Sequence, residues 1–319
     1  MRVLVTGSSG FIGHNLVKKL VLIGHEVIGL DSQIERELFQ DPNYKFENGD
    51  VRDSDTLSTL INRYRPNLLI HLAAKKIPRY GHRVDTLLVN GIASENIFRE
   101  AWKADVGVVF ASTSDVYGMN PNVPFRHDSN LVSGPAEVAR WSYSISKLFS
   151  EHLLHGYYEQ KENPSTILRF FGAYGPHNSL DWTGGPIPVF IKAALESRPI
   201  DIHGDGSQTR TFSYIDDHIN ALTTLLNDWP LDSLKTFNFG STTEISVLDL
   251  ADKVWRLVNK NSEPIFNFVP YKSFGNYQDV MRRVPDMRET IQSLGDHWNT
   301  DLENGLIKTI AWQKKVITS

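Results

Sequence analysis

The sequence contains no cysteine in 319 residues. That excludes disulfides, thiolate metal sites and cysteine nucleophiles, and it suits a reducing cytoplasm. Excess positive charge is also absent: 33 Lys and Arg face 37 Asp and Glu, for a net charge of −4. A polyanion-binding surface, and with it a nucleic-acid partner, is not expected. No run of about 18 apolar residues occurs, so no membrane helix is expected. The strand-like "RVLVTG" begins at the second residue, so no signal peptide is expected and the cytoplasm is the expected location. The 11 histidines are scattered without ligand spacing, so no metal site is expected.

What is present is a core and a rhythm. Hydrophobic residues make up 40% of the chain, enough for one large or two modest domains. Short Val/Ile/Leu-rich runs at 2–6, 26–30, 67–73 and 106–111 read as strands buried on both faces. Amphipathic stretches at 11–23, 53–64, 84–103 and 143–160 read as helices, and 165–171 as a further strand. This alternation predicts an α/β fold with a doubly wound parallel sheet of Rossmann type. After about residue 172, Gly/Pro clusters break the rhythm. Helices are expected at 187–197, 216–227 and 246–260, with strands near 200–203, 211–215 and "TFNFGS". The reading is a dinucleotide-binding domain over 1–172 and a smaller α/β substrate lobe over 173–319, which weaves back into the first.

"VTGSSGFIGHNL" links the first strand to the first helix and carries Gly7, Gly10 and Gly13. Such glycines permit a tight turn, close approach of backbone to a pyrophosphate, and packing of helix on strand. The helix N-terminus offers N–H groups to the phosphates. Asp31 closes the second strand, where an acid bonds ribose hydroxyls and repels a 2′-phosphate, so NAD is expected over NADP. In "NGDVRD", Asp50 and Val51 are placed to flank an adenine.

"YSISK" sets Tyr143 and Lys147 one helical turn apart. An ammonium near a phenol stabilises the phenolate, which can take a proton from a substrate hydroxyl while a nicotinamide takes the hydride. "FASTSDVYG" (110–118) puts Ser112, Thr113, Ser114 and Asp115 at the carboxyl end of a strand, where open α/β sheets bind ligands. His71, on a buried strand, reads as a core residue.

With "TGSSGFIG", "HLAA" (71–74), the hydroxyl cluster before "VYG" and "YSISK", the chain resembles the extended short-chain dehydrogenase/reductase family, in its nucleotide-sugar branch of epimerases, dehydratases and decarboxylases. "DGSQTRTFSYIDD" (205–217) and "YQDVMRRVPD" (277–286) extend the resemblance over nearly the whole chain. It implies NAD as cofactor, contacted by Gly7, Gly10, Phe11, Ile12, Gly13, Asp31, Asp50, Val51, Leu72, Ala73, Ala74 and Asn90. Ser112, Tyr143 and Lys147 also belong to that set. It implies Thr113 at the sugar 4-oxygen, Tyr143 as base, Lys147 as its partner and Arg210 on the diphosphate. Arg140 and Arg283 match arginines near a sugar carboxylate. Gly172 stands where many members have asparagine, which either removes a contact or leaves space for the sugar. The family implies a homodimer through helices 84–103 and 143–160, with Phe98, Trp102, Leu153 and Tyr157 offered as its face.

All these reactions begin with oxidation at C4 and diverge at C5, where Ser114 and Asp115 are expected. Asp115 differs from the decarboxylases' glutamate by one methylene, and its carboxylate could instead bond backbone N–H groups of its own turn. The sequence reading is a 4-epimerase acting on a UDP-hexose or UDP-uronate. UDP-glucuronate decarboxylase is the alternative, then a 4,6-dehydratase, with a non-catalytic NAD-binding regulator the most remote.

Overall fold

The computed structural model describes residues 1–33, 40–76 and 82–318. Its centre is a parallel sheet of seven strands: β1 (Arg2–Thr6), β2 (Glu26–Asp31), β3 (Tyr44–Asn48), β4 (Leu68–His71), β5 (Gly107–Thr113), β6 (Ser165–Phe170) and β10 (Lys235–Phe239). Their order is β10-β6-β5-β4-β1-β2-β3. Side chains alternate across the sheet. Val3, Val5, Val109 and Ala111 enter one core cluster, while Leu4, Val108 and Phe110 enter the other. The first is covered by α1 (Phe11–Leu22) and α6 (Ile215–Asn227). The second is covered by α2 (Ser54–Tyr64), α3 (Arg83–Lys103) and α4 (Trp141–Lys161). With both faces buried, strands such as β5 carry no polar face, which is why they read as continuous apolar runs.

A second, smaller assembly lies at the carboxyl ends of these strands. β9 (Thr209–Tyr214) is its centre, paired with β7 (Gly172–Tyr174), β11 (Glu244–Ser246) and β13 (Arg282–Arg283). β8 (Ile200–His203) pairs with β12 (Phe266–Val269). Helices α5 (Pro186–Leu195), α7 (Val247–Val258), α8 (Arg288–Leu294) and α9 (Leu302–Thr318) complete it. The chain does not pass from the large sheet to this assembly once. β10 returns to pair with β6, and α6 packs on α1, so residues 215–239 belong to the large sheet.

β11, β12, β13, α8 and α9 lie outside the elements expected from the sequence. β13 has two residues and β11 three, too short for any periodicity. His71 is fully buried, its Nδ1 2.7 Å from Thr6 Oγ1, as expected of a core residue. Among the described residues, no helix is long and apolar enough to cross a membrane.

Candidate active site

The turn after β1 is built on glycine for steric reasons. Gly7 has φ 72°, and a Cβ there would come within 2.7 Å of the Ala73 backbone N. A Cβ on Gly13 would lie 2.0 Å from the Gly7 carbonyl oxygen. The N-terminus of α1 carries no capping side chain and no acid in its first turn, so its N–H groups remain available to an anion. Ser8 Oγ beside it is buried without a partner among the described residues. Asp31, at the end of β2, accepts from the backbone N–H groups of Ser9 and Gln33, both at 3.0 Å. This arrangement fits a dinucleotide.

A deep cleft opens where β1, β4, β5 and β6 end. Phe11, Ile12, Leu72 and Ala74 line its cofactor side, and Ser112, Thr113, Ser114, Asp115, Tyr143 and Lys147 its floor. Trp182 and His203, ring centroids 4.3 Å apart, form a stacked wall. Thr113 is the last residue of β5, and its Oγ1 accepts from the Asp115 backbone N–H at 3.2 Å. The Tyr143 phenol lies beside Thr113. Burial and the Asp115 charge push that phenol above its ordinary pKa, with Thr113 and Arg283 opposing. Lys147 is nearly fully buried, and its Nζ donates to the Ala111 carbonyl at 2.8 Å. Burial, then Lys76, push its amine down to about 7, with Glu151 opposing. The expected lowering of the phenol by Lys147 is therefore not what this geometry gives.

Beside the floor stands a cluster of three guanidiniums and two carboxylates. Asp115 is paired with Arg283 and, at 3.2 Å, with Arg140. Asp279 is paired with Arg140 at 2.8 Å and Arg210 at 2.9 Å, and accepts from Tyr271 Oη at 2.8 Å. Arg140 also donates to Tyr277 Oη at 2.7 Å. Burial pushes the Asp115 carboxyl up, but Arg283, Arg140 and Arg210 outweigh it and hold it below its ordinary value. Burial likewise opposes, and Arg210 and Arg140 prevail, for Asp279, which is held down to about 2. The Arg140 Nε–H is buried without a partner among the described residues. The cluster carries a surplus positive charge and one unmet donor, features that favour an anionic ligand group.

The structure brings some of the expected site residues to the cleft and leaves others outside it. The Asp115 carboxylate faces the cleft and its arginines, not a backbone turn. Ser112 Oγ donates to the Glu151 carboxylate behind the floor. Gly172 lines the cleft, but a Cβ on it would lie 2.6 Å from the Thr211 carbonyl oxygen. The glycine therefore serves the close passage of β9 rather than opening space for a sugar. Asn90 is 1% exposed. Its amide bonds the Lys75 N–H, the Lys75 carbonyl and Ser146 Oγ, so it holds the stretch after β4. Val51 packs in the second core cluster, Asp50 pairs with Arg52, and Ala73 donates its N–H toward Thr6 Oγ1 at 3.4 Å. On the expected dimer face, Phe98 is core, and Leu153 and Tyr157 pack against that core.

Asp279, Glu151, Arg169, Trp182, His203 and Gln208 were not read from the sequence as site residues. Gln208 and Asp279 lie inside the quoted segments 205–217 and 277–286, and Glu151 continues the four-residue spacing of Tyr143 and Lys147.

Comparison with known proteins places this geometry. Residues 3–240 match the model of the NAD dependent epimerase/dehydratase family. A UDP-N-acetyl-alpha-D-glucosaminuronate decarboxylase of Bacillus cytotoxicus is 31% identical, over 99% of this chain and 98% of that protein. A human dTDP-D-glucose 4,6-dehydratase is 30% identical, over 98% of this chain and 90% of that one. Among solved structures, a UDP-glucose 4-epimerase of Thermotoga maritima matches with TM-score 0.87 at 26% identity, covering 99% of this chain and 100% of that one. MoeE5, solved with UDP-glucuronic acid and NAD, matches with TM-score 0.85 at 26% identity, covering the same shares. With the dinucleotide cradle at the end of β1 and a Tyr–Lys pair on the cleft floor, the chain belongs to the NAD-dependent epimerase/dehydratase family, in its nucleotide-sugar branch.

Proposed function

We propose that the protein is a UDP-hexuronate decarboxylase. The observation that carries this reading is Asp115 held between Arg140 and Arg283 inside the cleft, with the Arg140 Nε–H unmet. Oxidation of a hexuronate at C4 makes a β-keto acid, because the C6 carboxylate is then two carbons from the ketone. Such an acid loses CO₂ readily, leaving an enolate that takes a proton at C5. Guanidiniums beside C5 orient the carboxylate before that loss, and a fixed cation stabilises the enolate. The resemblance to a decarboxylase over nearly the full length of both chains supports the same reading. Product analysis with a UDP-hexuronate and the matching uncharged UDP-hexose tests it. 4-Epimerisation of the same hexuronate is the second reading, favoured by one observation: Asp115 is engaged by both arginines through its Oδ1 instead of standing as an unpaired acid beside C5.

NAD held on the glycine turn would supply the hydride acceptor for C4 of the sugar and the donor for its return. Gly7, Gly10, Gly13 and the first turn of α1 hold its pyrophosphate, and Asp31 its adenosine ribose. Thr113 orients the sugar 4-oxygen, Tyr143 removes the hydroxyl proton, and Lys147 supplies positive charge beneath it. Arg210 receives the diphosphate, and the Trp182–His203 stack a nucleobase. These residues would hold the dinucleotide on the large sheet and the nucleotide sugar between it and the β9 assembly. Asp31 predicts a cofactor preference: NAD binds at least tenfold more tightly than NADP in a calorimetric titration, because a 2′-phosphate would face the carboxylate. Tighter binding of NADP would remove Asp31 from this role.

The protein also acts as a homodimer in this reading. Val84, Leu87, Leu88 and Ile92 on α3, with Ile145 and Phe149 on α4, are large apolar side chains left exposed. Their i, i+3, i+4, i+8 spacing on α3 forms one stripe, and Phe149 lies against Gly91. This patch replaces the face expected from the sequence. Ile92→Asp is expected to give monomers in light scattering, whereas a wild type that is monomeric at micromolar concentration would refute the dimer.

A further inference from the structure

Behind the cleft floor lies a second charged group. Glu151 follows Lys147 by one turn on α4 and is 4% exposed. Arg169, from β6, grips it with Nε at 3.0 Å and Nη2 at 2.7 Å. Ser112, the strand neighbour of Arg169 on β5, donates its hydroxyl to the same carboxylate. The remaining arginine donors go to Tyr117 Oη at 3.0 Å and the His127 carbonyl at 2.8 Å, and Tyr117 Oη donates to Asn238 at 2.6 Å. Burying such a pair generally stabilises a fold no better than apolar packing would, so its position is the informative feature. It joins the helix carrying Tyr143 and Lys147 to the strand end carrying Thr113.

We propose that Glu151, clamped by Arg169, is a positioning residue that supports the positive charge of Lys147 and fixes the end of β5 against α4. This deepens the proposed role of Lys147 and rests on that reading. Lys147 otherwise sits in surroundings hostile to a charge. Burial works against its charge, and a cation–π contact with the Phe110 ring, 4.7 Å from its centroid, offsets only part of that cost. Lys76, from the stretch after β4, opposes its charge, and His71 on β4 is a neutral neighbour whose protonation Lys147 disfavours. On its own helix Tyr143 is neutral below its raised pKa. Glu151 is the anion that favours the ammonium. Ser112 ties that anion to the strand, so the charge and the catalytic hydroxyl of Thr113 keep a fixed relation.

The test reads Lys147 directly, without turnover. The protein is labelled with [13Cε]lysine, the Lys147 signal is assigned by Lys147→Met, and its titration is followed by NMR with and without NAD. Glu151→Gln keeps the shape and removes the charge, and it is expected to move the titration down by about one pH unit. Glu151→Asp draws the charge back by one methylene and is expected to give a smaller downward shift. Should the amide variant not fold, the aspartate variant alone decides. An unchanged Lys147 titration in a folded variant, with only the melting temperature lowered, would overturn the proposal. Absence of any sugar turnover would count against the proposed function while leaving this titration readable.

Discussion

Tyr143→Phe is expected to lower turnover of the accepted nucleotide sugar by two or more orders of magnitude, the range a positioned general base supplies. The phenol lies beside Thr113 on the cleft floor, within the field of Asp115 and Arg283. Its raised pKa means that the proton-accepting form is scarce at neutral pH and grows as pH rises, so wild-type kcat/KM should climb with pH until the Lys147 amine, held near 7, gives up its charge, and level off above that. The variant should lose that climb along with the rate. Removing one oxygen leaves the ring packing in place, so the melting temperature should barely move. A near-normal rate in the phenylalanine variant would take Tyr143 out of the chemistry.

Asp115→Asn is expected to separate the two readings of the reaction. The carboxylate balances Arg140 and Arg283. An amide bonds them but leaves their charge unopposed, with Asp279 alone facing three guanidiniums. Binding of an anionic substrate should hold or tighten, since a competing anion is gone. Decarboxylation needs those guanidiniums aimed at one carboxylate while CO₂ leaves. Its kcat should therefore fall by about 10²-fold or more, as when a preorganised charge is misaligned. A 4-epimerase makes no such demand and should lose within about tenfold, roughly 1.4 kcal/mol of barrier. The split between kcat and KM is the readout, because a purely structural carboxylate would lower stability and leave kcat intact.

The parts legible in the sequence were local. Glycines at 7, 10 and 13, the apolar strand runs, and Tyr143 and Lys147 one turn apart all act through neighbours a few residues away. The smaller assembly was harder because β13 has two residues and β11 three, held by pairing with β9 rather than by any pattern of their own. The charge cluster was only half visible. Arg140, Arg210, Arg283 and Asp115 stood out, but Asp279 bonds Arg140 across 139 positions of sequence, a relation no spacing reveals. Gly172 misled for the same reason, since the backbone of β9 occupies the place its missing side chain seemed to leave open. Glu151 had a signal, the continued four-residue spacing, but its meaning depended on Arg169 and Ser112 arriving from two strands.

The most direct test of decarboxylation is to incubate the purified protein and NAD with UDP-glucuronate and with UDP-N-acetylglucosaminuronate, each labelled with 13C at C6, and to follow the label by NMR. The account predicts that label from at least one substrate leaves the sugar and appears as CO₂ and bicarbonate, with a UDP-pentose as the matching product. Label retained in a hexuronate inverted at C4, with no CO₂ formed, would contradict it.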